Sequence, residues 1–316
     1  MTFQQLQILT ACASTKSFST AAQRLFLSTS SISKSISALE KEVGFEIFVR
    51  SPNGIQLTEK GGTLVRHARV LMQEYNHITS LLTEDNSVEF SCACPPLPYC
   101  SESFATLCNR YQKENAMNFI LFEGSFDQCL DRVSYRNASV AIVIVPKTNH
   151  LYCTEEMNRR GLSYGWMKKM PYYIKMRKGH PLEEIYKKTR VLTPEMLQDY
   201  PMIDYRCTPD DYLQQLQTNL ENNYSSKKMI HVNQMERKIH CMRNTDAFTL
   251  GLGLSANLSV EEDLFCVQQG NNYANIYYVY DKRIGLNSIT QEFLDLLQME
   301  LDSGDEVETT LSCQEE

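Results

Sequence analysis

The chain has 316 residues, 42% of them hydrophobic and 22% charged. That length suits two domains of roughly 100 to 200 residues each, and that composition excludes a wholly disordered, collagen-like or purely coiled-coil protein. Its longest apolar run, Val140 to Val145, is far below the ~18 residues a membrane span needs, and the start lacks the basic and apolar regions of a secretion signal, so a cytoplasmic protein is expected. The net charge of −7 is unevenly placed: residues 1 to 70 hold eight Lys/Arg against four Glu, leaving 23 basic and 34 acidic residues in the rest, and a basic head on an acidic body points to a polyanion partner for the head alone.

Phe3, Leu6, Leu9 and Ala13 repeat at helical spacing. Ser19 can cap a second helix with Ala21, Ala22 and Leu25 facing inward. Ser28 can cap a third, with Ile32, Ile36 and Leu39 as its buried stripe and Gly44 as its stop. Only Phe26 and Leu27 join the last two, which is the helix-turn-helix pattern. Phe45 to Arg50 and Gly54 to Leu57 are short β-like runs around the turn-forming Ser51-Pro52-Asn53, a candidate wing. From Thr58, Leu64, Ala68, Leu71, Tyr75, Ile78 and Leu82 alternate at spacings of four and three, a seam that one helix cannot bury alone. A partner helix from a second chain, or packing on the chain's own body, would cover it. Thr58 followed by Gly61 gives half a capping box.

Residues 84 to 87 read as a linker. Beyond it the extended run Val88 to Cys94, a helix with Phe104, Leu107, Cys108 and Tyr111, the strand Phe119 to Phe122, a helix with Phe126, Cys129, Leu130 and Val133, and the strand Val140 to Val145 make a β-α-β-α-β series, hence a parallel sheet covered by helices. A second block holds the strand Tyr172 to Met176, the turn Lys178-Gly179-His180-Pro181, helices near Pro194 to Gln198 and Asp210 to Leu220, and the run Ala247 to Leu254. Strand Ile276 to Tyr280 and helix Ile289 to Leu301 close the body. Residues 302 to 316 carry six acids and no base and read as a disordered tail.

The third helix carries the chemistry. Off its apolar stripe stand Thr29, Ser30, Ser31, Ser33, Lys34 and Ser37. Short hydroxyls let a helix sink into a major groove and bond phosphates or base edges, and Lys34 adds charge aimed at phosphate or guanine. A merely solvated face would more often carry Glu and Lys than serines, which are mediocre helix formers. Arg50, Ser51 and Asn53 at the wing could reach a minor groove, whose potential attracts Arg.

Ser17-Phe18-Ser19-x-Ala21-Ala22-x-x-Leu25, Ser28 with Ile32-Ser33-x-x-Ile36-x-x-Leu39-Glu40-x-x-x-Gly44, Phe48-x-Arg50 and Leu57-Thr58-x-x-Gly61 resemble the winged helix-turn-helix of LysR-type transcriptional regulators. More weakly, Lys178-Gly179-His180-Pro181-Leu182 and Gly251-Leu252-Gly253 are similar to stretches of that family's body, so the resemblance covers about residues 1 to 300. Thr29-Ser30 replaces the usual Gln-Pro or Gln-Ser, and Ser134 to Ser139 replaces the usual Gly-Glu-Leu-Asp. The resemblance implies an α/β protein overall: an all-α winged helix-turn-helix head (1–57), a linker and dimerisation helix (58–86), and a periplasmic-binding-protein-like body (87–301). The body would divide into subdomain I (about 87–146 and 265–301) and subdomain II (about 147–264), joined by crossovers near Pro146 and Asp204. A small-molecule effector, plausibly a carboxylate, would sit between them against Ser101, Ser103, Pro146, Asp204 and Thr249; Ser101 and Ser103 as mere helix caps is the alternative. The implied partners are double-stranded DNA, the effector, further copies of the chain as dimer or tetramer, and RNA polymerase. No cofactor, metal or catalytic residue is expected.

Other readings stay open. The head could be an interaction module without operator specificity. Gly161-Leu162-Ser163-Tyr164-Gly165 matches the hydrolase motif G-x-S-x-G, but its polar flank before and Pro171 after do not fit a strand–elbow–helix. His231, His240 and Cys241 fit no common metal spacing. Eleven cysteines fall short of the ~8–10% of a disulfide scaffold, so packed, reduced thiols are the default. Cys92 and Cys94 are expected one in the core and one near the cleft, with a redox-sensing pair as the alternative role.

Overall fold

In the computed structural model, which describes residues 1–51, 54–80, 88–205, 226–253 and 264–313, the chain divides into two units, Met1–Asn86 and Ser87–Glu316. The first is built from short helices with strong caps. Thr2 and Gln5 form a full capping box at the start of α1 (Phe3–Thr15), which satisfies two amides that a helix end leaves orphaned. α2 (Phe18–Arg24) is capped by Ser17, not Ser19: Ser17 is extended and its hydroxyl accepts from the Thr20 amide, whereas Ser19 already lies in the first turn. α3 (Thr29–Val43) starts on Ser28, whose hydroxyl accepts from the Ser31 amide at 3.1 Å, and stops on Gly44 at φ +78°. Ile32, Ile36 and Leu39 are buried against Leu6, Leu9, Cys12, Ala21 and Ala22.

The wing is the antiparallel pair β1 (Phe48–Ser51) and β2 (Gly54–Leu57), with Ser51 opposite Gly54. It begins three residues later than the expected Phe45, because the Ile47 and Phe48 amides donate to the Glu40 carboxylate at 2.8 and 3.2 Å and Ile47 is fully buried. α4 (Glu59–Ser80) opens with the Thr58 hydroxyl accepting from the Gly61 amide at 2.9 Å. Its seam divides. Val65 and Ala68 are buried in the head's own core, while Leu71, Tyr75 and Ile78 are 50%, 46% and 57% exposed, with the Tyr75 ring against Phe3. Leu82 lies outside the described residues.

In the second unit, β3 (Val88–Cys94), α5 (Pro98–Tyr111), β4 (Met117–Glu123), α6 (Phe126–Ser134) and β5 (Val140–Pro146) follow the expected β-α-β-α-β order with parallel pairing. After α7 (His150–Arg159) comes β6 (Leu162–Arg177), then α8 (Pro181–Thr189), α9 (Pro194–Leu197), β7 (Met202–Tyr205), β8 (Met229–Val232), α10 (Met235–Asn244), β9 (Thr249–Leu252), β10 (Leu264–Asp281) and α11 (Ser288–Cys313). One six-stranded sheet has the order β4-β3-β5-β10-β6-β9, and β7 and β8 form a separate parallel pair. The helix expected at 210–220 lies outside the described residues. No helix among those described is long and apolar enough to cross a membrane.

The strands Tyr172–Met176 and Ile276–Tyr280 are only the ends of much longer ones. β6 and β10 pair antiparallel along nearly their whole length, and their register shifts between Gln268 and Tyr273. The stretch from Leu162 to Met170 packs in the first lobe, whose cores lie on the two sheet faces under α5 and α11 and under α6 and α7. The stretch from Ile174 onward packs in a second lobe with Leu182, Leu197 and Phe248. The crossovers are therefore β6 and β10, not segments at Pro146 and Asp204. Subdomain II does not begin at 147, since Cys153 and Met157 of α7 are buried against Phe126 and Leu130 of the first lobe. The tail is corrected as well: α11 continues through residues 302–313. Leu301 is fully buried, and Lys168 Nζ donates to its carbonyl at 2.6 Å and lies 3.5 Å from Asp302. An anchored helix is extended at little cost per residue.

His180 shows why the Gly179-His180-Pro181-Leu182 stretch has that composition. Gly179 takes φ +73°, Pro181 supplies a first helical turn without needing its amide, and the buried His180 ring caps α8: Nδ1 accepts from the Leu182 amide and Nε2 donates to the Asp246 carbonyl, both at 3.1 Å. This network needs a neutral ring, and burial holds the His180 pKa below its ordinary 6.5 despite the Asp246 carbonyl. The unfolded chain then binds the extra proton first, so the stabilisation is complete above about pH 6.5 and is lost as the pH falls through the folded-state pKa. Thermal melts between pH 8 and 5 are expected to show a falling midpoint that flattens in His180→Asn; an equal slope in both proteins would contradict it.

Candidate nucleic-acid interface and ligand cleft

Burial of the Ile32, Ile36 and Leu39 stripe fixes which side of α3 faces out. Thr29, Ser30, Ser31, Lys34 and Ser37 are exposed and Ser33 is half-buried. The Ser28 hydroxyl lies 2.9 Å from that of Ser30 and 2.8 Å from that of Ser31, and the first turn holds no acidic residue. Hydroxyl donors beside a helix N-terminus, with no carboxylate to repel an anion, form a surface suited to phosphate. Tight backbone contacts tie the wing to the end of α1: the Ile55 amide donates to the Lys16 carbonyl at 3.0 Å, and a Cβ on Gly54, at φ +116°, would fall 2.4 Å from that oxygen. The side chains of Arg50 and Ser51, and all of Asn53, lie outside the described residues.

Phe26 lies in the turn between α2 and α3. Its side chain is 95% exposed on a backbone at φ +55°, a conformation that costs a bulky residue about 1–2 kcal/mol. An aromatic where Gly or Asn would be cheaper was the available signal. It stands two residues before the α3 cap, where an apolar ring can meet a thymine methyl.

The cleft residues separate by lobe. Ser101 is exposed on α5. Ser103 is fully buried, and its hydroxyl donates back to the Tyr99 carbonyl at 2.8 Å. Neither serine caps α5, whose N-cap is Leu97 without a side-chain bond, and Ser103 has no face toward a ligand. Pro146 ends β5 opposite Ala274, beside the register shift of β10. Asp204 and Thr249 come together in the second lobe. The Thr249 hydroxyl donates to the Ile203 carbonyl at 2.9 Å, and buried Asp204 is 3.1 Å from His231 Nδ1.

Residues that touch between the lobes were not singled out in the sequence. Tyr205, at the end of β7, donates its hydroxyl to Glu123 at the end of β4 over 2.7 Å. Gly253 donates its amide to Pro171 at 3.0 Å, and a Cβ there would lie 2.1 Å from Met170 and 3.2 Å from the Tyr99 hydroxyl. Strand C-terminal ends are where α/β sheets bind ligands, but which ends meet is a tertiary fact.

Ser163 lies within β6 opposite Tyr280, and a Cβ on Gly165 would overlap the Tyr278 ring, so the G-x-S-x-G run forms packed strand and no elbow. His231 is bonded to Asp204, and among the described residues no group of three His, Cys, Asp or Glu is placed to hold a metal. Cys92 and Cys94 are both in the first lobe's core, not divided between core and cleft, because residues two apart on a strand share a face.

The family model described as bacterial regulatory helix-turn-helix protein, lysR family, matches residues 3–62. An uncharacterised HTH-type transcriptional regulator of Bacillus subtilis, YvbU, is 27% identical over 192 residues, 58% of this chain and 60% of that relative. The regulator TfdT of Cupriavidus pinatubonensis is 36% identical over 72 residues, 23% of this chain and 32% of its own length. The chain thus aligns with less than two thirds of these relatives. A full-length OxyR variant from Pseudomonas aeruginosa has the same fold, with a TM-score of 0.60 at 14% identity over 94% of this chain and 98% of that one. CbnR, solved with its target DNA, gives 0.57 at 14% identity over 95% and 100%. The LysR-family signature is thus carried by residues 3–62 of the head, and the chain as a whole shares the fold of these solved structures.

Proposed function

We propose that the protein is a cytoplasmic, DNA-binding transcriptional regulator whose α3 enters the major groove of an interrupted-dyad operator. The observation that carries this reading is the outward face of Thr29, Ser30, Ser31, Ser33, Lys34 and Ser37 on a helix whose apolar stripe is fully used inside the head. Arg50, Ser51 and Asn53 are the proposed wing contacts. Dimerisation through α4 would cover Leu71, Tyr75 and Ile78, each left about half exposed by the head, and pairs of dimers would make a tetramer. A small-molecule effector, anionic in this reading, would sit between the lobes near Ser101, Pro146, Asp204 and Thr249; Ser103 is withdrawn as a ligand. Contact with RNA polymerase is part of the same reading, and no catalytic role is proposed.

A gel shift against the DNA flanking the protein's own coding region tests it. A retarded band competed by the same unlabelled fragment but not by bulk genomic DNA is expected. Equal competition by both would favour an interaction module without operator specificity.

A further inference from the structure

An aromatic and basic patch stands on β6 and β10 where they leave the first lobe. Tyr273, Asn275 and Tyr277 alternate with Ala274 and Ile276 along β10 and so share one face of the sheet. Tyr277 packs in the core under α6 and α7, which identifies that face. Lys169 stands directly across from Asn275, and Trp166 across from Tyr277; residues paired across antiparallel strands point to the same side. Trp166 is 59% exposed, and its indole N–H donates to Asn275 Oδ1 at 3.2 Å. Because an indole N–H can only donate, Asn275 turns its oxygen to Trp166 and its NH2 group away from it. Two ammoniums lie against the Tyr273 ring: Lys169 Nζ is 4.0 Å from its centroid, and Lys147 Nζ, from the turn between β5 and α7, is 5.2 Å from it. They are therefore no more than about 9 Å apart. Both lysines are exposed, and among the described residues neither is paired with a carboxylate, whereas Lys168, opposite Ile276 on the other face, lies 3.5 Å from Asp302. A tyrosine face attracts a cation without cancelling its charge, so the patch keeps two neighbouring positive charges that repel each other until an anion enters. Ammoniums are point charges with three rotatable donors, which suits a phosphate; the flat fork of arginine is the better match for a carboxylate.

We propose that Lys147, Lys169, Tyr273, Asn275 and Trp166 form a binding site for a small phosphate ester that carries a flat ring, of the size of a nucleoside monophosphate. The phosphate sits between the two ammoniums and accepts from the Asn275 NH2 group, and the ring lies on the exposed Trp166 indole. The cross-strand partners of Trp166 and Lys169 are two residues apart on β10, about 7 Å along the strand, a separation that one such ligand spans. The hydrogen bond to Asn275 fixes the indole before the ligand arrives, so less ordering is left to oppose binding. The site is on the opposite sheet face from Met170, which meets Gly253 between the lobes. It depends neither on an effector held there nor on what the head binds.

Trp166 is the sole tryptophan, so its fluorescence reports on this patch. The full-length protein is titrated with adenosine monophosphate, and saturable quenching is expected, with the same half-saturation point by calorimetry. Lys147→Ala and Lys169→Ala are each expected to weaken binding about tenfold, the loss of one charge-assisted hydrogen bond, without moving the melting midpoint. Lys188→Ala, an equal change of charge on the exposed side of α8, is expected to bind as the wild type does. Adenosine, which lacks the charge, and ribose 5-phosphate, which lacks the ring, should each bind at least about tenfold more weakly than the monophosphate. No saturable signal with adenosine monophosphate in either measurement overturns the proposal, and so does equal affinity in the wild type and both site variants. Adenosine binding as tightly as the monophosphate refutes the phosphate seat, and ribose 5-phosphate binding as tightly refutes the stacking on Trp166. Gel shifts of Lys147→Ala and Lys169→Ala are expected to match the wild type, so failure of this site and failure of the DNA-binding reading are separate results.

Discussion

Lys34→Ala is expected to bind the operator more than tenfold more weakly than the wild type. Lys34 is exposed on α3, one turn beyond the serine cluster, and Ile32 and Ile36, both buried, hold the helix on either side of it. A lysine bonded to a guanine edge contributes about 1–3 kcal/mol, and each 1.4 kcal/mol is about tenfold in affinity. Anisotropy titrations at several salt concentrations separate its two possible targets. If Lys34 meets phosphate, the loss is uniform across sequences and the salt slope falls by about one; if it meets guanine, the loss is confined to operators carrying that base. Arg50→Ala is expected to weaken binding to a similar degree. Unchanged affinity in both variants would remove α3 and the wing from the DNA interface.

Gly61→Ala is expected to be the most damaging single change in the head. A Cβ at this position would lie 2.2 Å from the Ile47 carbonyl oxygen and within 3.0 Å of two more Ile47 backbone atoms. That oxygen also accepts the Thr58 amide at 3.0 Å, so neither side can yield without breaking the start of α4. Overpacking against immovable backbone costs on the order of 3 kcal/mol, which lowers the melting midpoint of a domain of this size by roughly 10 °C or more. Gly62→Ala is the internal control. Its Cβ would meet only the end of the Arg66 side chain at 3.9 Å, and alanine gains up to about 1 kcal/mol of helix propensity over glycine. Circular dichroism melts of the two variants should move in opposite directions; two equal shifts would refute the steric argument.

These variants show how far residue order carries. Ser28, Ile32, Ile36, Leu39 and Gly44 were legible as cap, stripe and stop, because each acts within one or two helical turns. The motif that includes Leu57, Thr58 and Gly61 was recognisable, but its reason was not: Gly61 is small because Ile47, fourteen residues away, passes against it. Two serines, Ser17 and Ser19, stand within capping distance of α2, and only the extended backbone of Ser17 decides between them. Cys92 and Cys94, two apart on β3, share one face of the strand, and both lie in the core.

The amino-acid order by itself determined the capped helices of the head, the polar outward face of α3, the parallel β-α-β-α-β run and the family resemblance of the head, since periodicity, caps and turn residues act locally. Which strands cross between the lobes, that Tyr205 reaches Glu123 and Tyr99 approaches Gly253, and that α4 divides into a buried start and an exposed end were decided only in three dimensions. Those contacts join residues far apart in the chain or depend on how whole elements pack, and no local pattern records which of many equally plausible neighbours will meet.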